Sequence, residues 1–249
     1  MKIAIIGCGW LGLPLAKRLI DIGHEVHGST TQVARLTLLS DSGIHGFVYD
    51  GLVNDQLPEI VKTSDVAIIN FPPSRSLDYA AQMKDQVSLF SSQTKIIFTS
   101  STGVYQDLDG PCTELSPIIE IHPVFLAEEA VRDSGRKYTI LRLAGLISED
   151  RNPVKYLVGK QNADGQKVVN LVHRDDVIAA VMSILNHQVW DETFNVCFPQ
   201  HPTRAEYYVE QAEHRQLSPP TFTFSEGSGK EIEAAKLIQL LNFTFNNPI

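Results

Sequence analysis

The chain has 249 residues, 43% of them hydrophobic and 20% charged, with a formal net charge of -8 at pH 7. That is enough material for one sizeable core, and the acidic balance, with no Lys/Arg run, argues against a nucleic-acid-binding face, which needs a positive patch. No apolar run reaches the ~20 residues that span a bilayer, and Cys8, Cys112 and Cys197 are too scattered for a zinc site or a disulfide framework.

Lys2 to Ile6 is a short apolar run ending in glycine, as a buried parallel strand requires. With Leu11, Leu13 and Leu15 beyond it, the start could pass for an export signal. Lys17 and Arg18, however, stand where a cleavage region should be. The expectation is a cytoplasmic protein with reduced thiols and no membrane partner. Leu11 to Ile22 carries apolar residues at helical spacing, with Gly23 as its stop. His24 to Gly28 predicts a second strand, Gln32 to Leu39 a helix, Gly46 to Tyr49 a third strand, and Asp65 to Asn70 a fourth. Pro72-Pro73 ends that fourth strand. Ser76 to Ser91 follows as a helix, Lys95 to Thr99 as a fifth strand, Asp107 to Pro123 as a loop, Val124 to Ser134 as a helix and Tyr138 to Leu143 as a sixth strand. Such alternation predicts an α/β fold, a Rossmann-type doubly wound parallel sheet.

The rhythm changes after about Gly145. Turn-rich stretches surround a strand at Val168 to Val172, a helix at Asp175 to Leu185, and two further helices at Thr203 to His214 and Lys230 to Leu241. The expected division is a dinucleotide-binding domain over residues 1–150 and a smaller substrate-capping region over 151–249, interleaved with it.

Gly7-Cys8-Gly9-Trp10-Leu11-Gly12 follows the first strand and opens the first helix, the context that gives GxGxxG its mechanism. Gly7 suits the tight turn, Gly9 the approach of a pyrophosphate and Gly12 close packing of helix on strand, while the helix N-terminus attracts the anion. A glycine-rich turn that binds nothing is the alternative. An acid ~20 positions on would accept bonds from an NAD ribose, but Ser29-Thr30-Thr31 stands there, with Arg35 a turn later. Hydroxyls and a guanidinium suit a 2′-phosphate, so NADP is expected over NAD; an ordinary Ser/Thr helix cap fits the stretch equally. Asn70, Phe71 and Pro72 after the fourth strand, and Ser100 at the end of the fifth, complete the candidate cofactor contacts together with Trp10 and Leu11.

Four segments extend this pattern. Ile97 to Tyr105, Glu128-Glu129, Leu141 to Gly145 and Val169 to Val177 occur in the order found in the extended short-chain dehydrogenase/reductase family, and the chain resembles its NAD(P)-dependent epimerase/dehydratase branch from Met1 to Val196. The resemblance implies an oxidoreductase-type fold, a small polar or sugar-nucleotide substrate, and homodimers through the helices at Ser76 to Ser91 and Val124 to Ser134. It places Ser101 at the family's catalytic Ser/Thr position. The family's general acid is a Tyr, four residues before a Lys. Counting back from Glu128 or Glu129 puts Glu120 or Ile121 in the Tyr slot and Val124 or Phe125 in the Lys slot, so the pair is missing. Tyr156 and Lys160 repeat the spacing elsewhere, on one face if that segment is helical; a relocated pair, a contact for an anionic substrate and a solvated lysine are all compatible. His122, beside the empty slot, is a candidate for proton exchange, with Glu120 a second; solvent-satisfied loop residues are the alternative. His173 is expected to bond the cofactor-side loops. His24 and His27 fall on opposite faces of a strand and share no metal.

Two functions compete. One is an atypical NAD(P)-dependent reductase, epimerase or dehydratase in which Ser101 polarises the substrate and another residue moves the proton. The other is a dinucleotide-sensing protein without turnover; a purely structural subunit is a third. A missing general acid costs on the order of 10²–10⁴ in rate and leaves the binding cleft intact.

Overall fold

Strand formation begins where the sequence is most apolar. The computed structural model describes residues 1–51, 57–73 and 78–249, and β1 (Lys2–Ile6) has Ile3 to Ile6 buried. It leads through the glycine loop into α1 (Gly12–Asp21), whose Leu15, Ala16 and Leu19 pack inward; each buried leucine is worth about 1.5–3 kcal/mol. Then come β2 (Glu25–Thr30), α2 (Leu36–Asp41), β3 (His45–Val48), α3 (Glu59–Lys62), β4 (Val66–Ile69), α4 (Tyr79–Ser88) and β5 (Lys95–Ser101). Ser76 and Leu77, the expected start of α4, lie outside the described residues; Asp78 caps the helix by accepting from the Ala81 amide at 2.9 Å.

The second half holds β6 (Gly110–Cys112), α5 (Pro123–Arg132), β7 (Tyr138–Leu143), β8 (Gly145–Ile147), β9 (Gln161–Asn162), β10 (Leu171–His173) and α6 (Arg174–His187). After these come β11 (Glu192–Val196), α7 (Arg204–His214), β12 (Thr221–Phe222), β13 (Lys230–Ile232) and α8 (Ala235–Leu241). Among the described residues, seven strands form one sheet in the order β11-β7-β5-β4-β1-β2-β3. The ladders β3 to β2, β2 to β1, β1 to β4 and β4 to β5 are parallel. This is the Rossmann-type α/β fold with its order reversing between β1 and β4, where such sheets bind ligands.

Three expectations need correction. Lys230 to Leu241 is not one helix: Lys230–Ile232 pairs in parallel with Gly110–Cys112, and the helix starts only at Ala235. The same pairing puts a strand inside the expected loop at Asp107 to Pro123. Gln32 to Leu39 is broken into a 3₁₀ turn at Val33–Arg35 and α2, which runs on to Asp41.

The chain divides into two compact units, each assembled from separated segments rather than split near residue 150. One comprises Met1–Val104, Ile118–Arg142 and Val181–Thr193; the other Tyr105–Pro117, Leu143–Ala180 and Phe194–Ile249. The first contains the glycine loop and the strand ends after β1, β2, β4 and β5. The second is knitted by the ladders β6–β13, β8–β10 and β9–β12. Its core has Ile147, Val169, Leu171 and Tyr207, with Ile249 packed against them. No helix among the described residues is long and apolar enough to cross a membrane.

Candidate functional site

The three glycines of the loop have different reasons to be glycine. Gly7 takes a φ of +106°, and a Cβ there would stand 2.3 Å from the Asn70 carbonyl oxygen. A Cβ on Gly12 would stand 2.2 Å from the Gly7 carbonyl oxygen. Both are therefore demanded by the chain's own packing. Gly9 is not: a Cβ there would meet none of the described atoms within 4 Å. Its bare backbone faces open space at the entrance to α1, where no side chain caps the helix and no acid occupies the first turn. That is a cradle for an anion, and it fits the pyrophosphate of a dinucleotide.

Neighbouring strand ends fix the loop. The Gly7 amide donates to Ser29 Oγ at 2.8 Å and the Cys8 amide to the Ser29 carbonyl at 2.9 Å. Asn70 Nδ2 donates to the Gly7 carbonyl at 3.2 Å, and its Oδ1 accepts from Thr99 Oγ1 at 3.1 Å. Phe71 accepts from Tyr79 at 2.8 Å, and its ring meets the Tyr79 ring edge-on, while Pro72 beside it is exposed. Ser29 is thus committed to the loop. Thr30 is buried, its Oγ1 accepting from the Gln32 amide at 3.2 Å, whereas Thr31 is exposed and Arg35 half-buried. Burial pushes the Cys8 thiol up to about 12, and the nearby Arg35 guanidinium works against that rise. The Arg35 charge is thus felt at the glycine loop. Trp10 is half-buried and Leu11 buried at the helix entrance.

At the end of β5 two adjacent serines diverge. Ser100 is buried and donates to Glu128 Oε1 at 2.5 Å. Glu128 is fully buried and accepts from Arg142 at 3.0 and 2.8 Å and from Arg132 at 3.0 Å. Arg132 also reaches Glu129 and Thr193. The Ser100 hydroxyl is thus tied into this network. Ser101 is half-buried, its Oγ accepting from the Gly103 amide at 3.0 Å. Glu128, not Glu129, is the acid that faces the sheet, so the count back starts there: Glu120, exposed, occupies the Tyr slot and buried Val124 the Lys slot.

His122 is the N-cap of α5, its Nδ1 accepting from the Val124 amide at 3.2 Å. Its Nε2 and Ser101 Oγ approach the same space above Gly103, 3.9 and 3.2 Å from the point where a Cβ would stand. Gly103 lies within the Ile97 to Tyr105 segment, but nothing in the sequence marks it off from its neighbours as a site residue.

Other candidates resolve differently. Tyr156 ends a short 3₁₀ turn (Pro153–Tyr156), with Lys160 beyond it and no helix between, so the two do not share a helical face. Tyr156 instead lines a cavity of about 420 Å³ together with Arg151, Asn152 and Lys155. His173 stands before α6, its Nδ1 accepting from the Asp175 amide at 3.2 Å. His27 stacks on His45 and bonds Glu25. Among the described residues no three His, Cys, Asp or Glu side chains form a metal-binding group, and all three cysteines are buried and unbridged.

Known proteins place this geometry. A family described as NAD(P)H-binding matches residues 7–188, beginning on the first glycine of the loop. Protein YeeZ of Escherichia coli K12 is 34% identical across 99% of this chain and 96% of its own length. A short-chain dehydrogenase/reductase superfamily protein from Agrobacterium tumefaciens, solved with bound NAD, superposes with a TM-score of 0.82. It is 16% identical over 100% of this chain and 93% of that one. A UDP-glucuronic acid 4-epimerase from Bacillus cereus in complex with NAD gives 0.81, at 16% identity and the same coverage; at such identities the likeness is one of fold. With its glycine cradle and its full-length likeness to YeeZ, the chain belongs to the NAD(P)H-binding family, on the fold shared by epimerases and short-chain dehydrogenases.

Proposed function

We propose that this chain is an NADP(H)-dependent oxidoreductase or epimerase acting on a small polar or sugar-nucleotide substrate. The observation that carries the reading is the open backbone at Gly9 above an uncapped helix, with exposed Thr31 and half-buried Arg35 following β2, whose Ser29 holds the same loop. Gly7 to Gly12 would hold the pyrophosphate, and Thr31 and Arg35 the 2′-phosphate, with the Thr30 carbonyl end of β2 between them. The dinucleotide would supply hydride exchange. Ser101, whose oxygen accepts from Gly103 and so keeps its own proton to give, would hold the substrate oxygen.

One observation favours a second reading, a dinucleotide sensor without turnover: buried Val124 fills the slot where the family's lysine would stand. The two part in a simple experiment. NADPH is expected to raise the melting temperature more than NADH at equal concentration; equal or reversed protection removes the NADP preference. NADPH consumption is then followed against aldehydes, ketones and sugar nucleotides. Turnover that Ser101→Ala abolishes supports the enzyme, and binding without turnover on any substrate leaves the sensor.

A further inference from the structure

We infer that Ser101 and His122 form a two-donor pocket over Gly103 for a substrate oxygen that bears or gains negative charge. This deepens the enzyme reading above and rests on it only for the source of hydride.

The argument starts from the hydrogen bond at the head of α5. A backbone amide only donates, so His122 Nδ1, which takes the Val124 N–H at 3.2 Å, carries no proton. The neutral ring must then hold its proton on Nε2. That is the nitrogen 3.9 Å from the point above Gly103 where a Cβ would stand. Ser101 is oriented in the same manner: its Oγ accepts from the Gly103 amide at 3.0 Å, which leaves the hydroxyl proton to be given elsewhere, and the oxygen lies 3.2 Å from the same point. Apart from the neighbours in sequence, no other described atom lies within 4 Å of it.

Gly103 itself supplies the independent observation. Its φ lies outside the left-handed region, so its backbone does not require glycine, and it is exposed to solvent. What the missing side chain provides is room between two donors. Donors fixed in advance by backbone contacts are what stabilises a developing oxyanion, because nothing need reorganise as the charge appears. A ring locked by its cap is also a poor proton shuttle, since giving up Nε2–H would leave an imidazolate. His122 is therefore assigned the role of hydrogen-bond donor to the substrate oxygen, not that of the missing tyrosine.

The test uses the full chain without dinucleotide, so it stands apart from whether NADP(H) binds. In uniformly ¹⁵N-labelled protein at neutral pH, His122 is expected as the Nε2–H tautomer; an Nδ1–H or doubly protonated ring overturns the assignment. Acetate, a carboxylate oxygen probe, is expected to shift the His122 Nε2 and Gly103 amide signals. Gly103→Ala should leave the melting temperature in place and weaken that response at least about tenfold, the worth of a charge-assisted hydrogen bond. His122→Asn keeps a side-chain oxygen to cap Val124 and should weaken acetate while holding stability. A wild-type chain silent to acetate, or variants that respond as it does, would refute the pocket.

Discussion

The unit built on the parallel sheet and the unit built on two-stranded ladders solve the problem of cohesion by different means. In the first, β1 pairs in parallel with both β2 and β4 within the seven-stranded sheet. Ile3 to Ile6 and Val66 to Ile69 are buried on both faces. In the second, Gly110–Cys112 pairs with Lys230–Ile232 and Gln161–Asn162 with Thr221–Phe222, and short ladders bury little by themselves. That unit is tied instead by single buried polar side chains. Asn195 accepts from Tyr105 at 2.6 Å and donates to the carbonyls of Cys112 and Glu233. Asp176, fully buried, accepts from the amides of Asn246 and Asn247 at 3.0 and 3.2 Å and from the Asn247 side chain at 2.8 Å. Continuous apolar strands make a core that tolerates local loss; isolated polar hubs make one that does not.

The largest effect tests the exception in the first unit, the fully buried carboxylate of Glu128. Glu128→Ala strips Arg142, itself 3% exposed, of its counter-charge, and breaking a buried pair from one side costs about 3–5 kcal/mol. Urea unfolding should show the loss with a nearly unchanged m value. A cost below about 1 kcal/mol would mean that the apolar sheet carries this unit alone.

The second test falls on the ladder unit. Ending the chain after Phe245 removes the three donors to Asp176 and the Ile249 contact with Ile147, Val169, Leu171 and Tyr207. Leaving a buried carboxylate unserved costs on the order of 2–3 kcal/mol. Hydrogen exchange should locate the loosening in β8 and β10 and spare β1 and β4. Uniform loosening across both sets of strands would erase the distinction drawn between the units.

The same contrast decides what the sequence reveals. Parallel strands buried on both faces are near-continuous apolar runs, so β1 and β4 are legible from composition alone. The Lys230–Ile232 strand is not, because its partner lies far upstream and the Ala234, Leu237 and Leu241 stripe that follows it has helical spacing. In the site, the glycine loop is legible because a strand and a helix flank it. The choice between Glu128 and Glu129 was also available: Val124, Ala127 and Val131 define the inward stripe of α5, and position 128 falls within it. Gly103 and the direction of the His122 ring depend on one amide contact and leave no periodic trace.

The smallest change in stability sharpens the comparison most, because within a single loop it separates folding from binding. Gly12→Ala would force a Cβ onto the Gly7 carbonyl, and Gly7→Ala would add a disfavoured positive φ to a clash with Asn70, so both should destabilise the chain with or without ligand. Gly9→Ala meets no described atom within 4 Å and should shift the unliganded melting temperature by no more than about 1–2 °C, as surface substitutions do. It should nonetheless abolish the rise that NADPH gives, because the added methyl occupies the approach to the helix N-terminus. Undiminished protection by NADPH in Gly9→Ala would place the pyrophosphate elsewhere and reduce the whole loop to what Gly7 and Gly12 already are, a tight turn packed for its own sake.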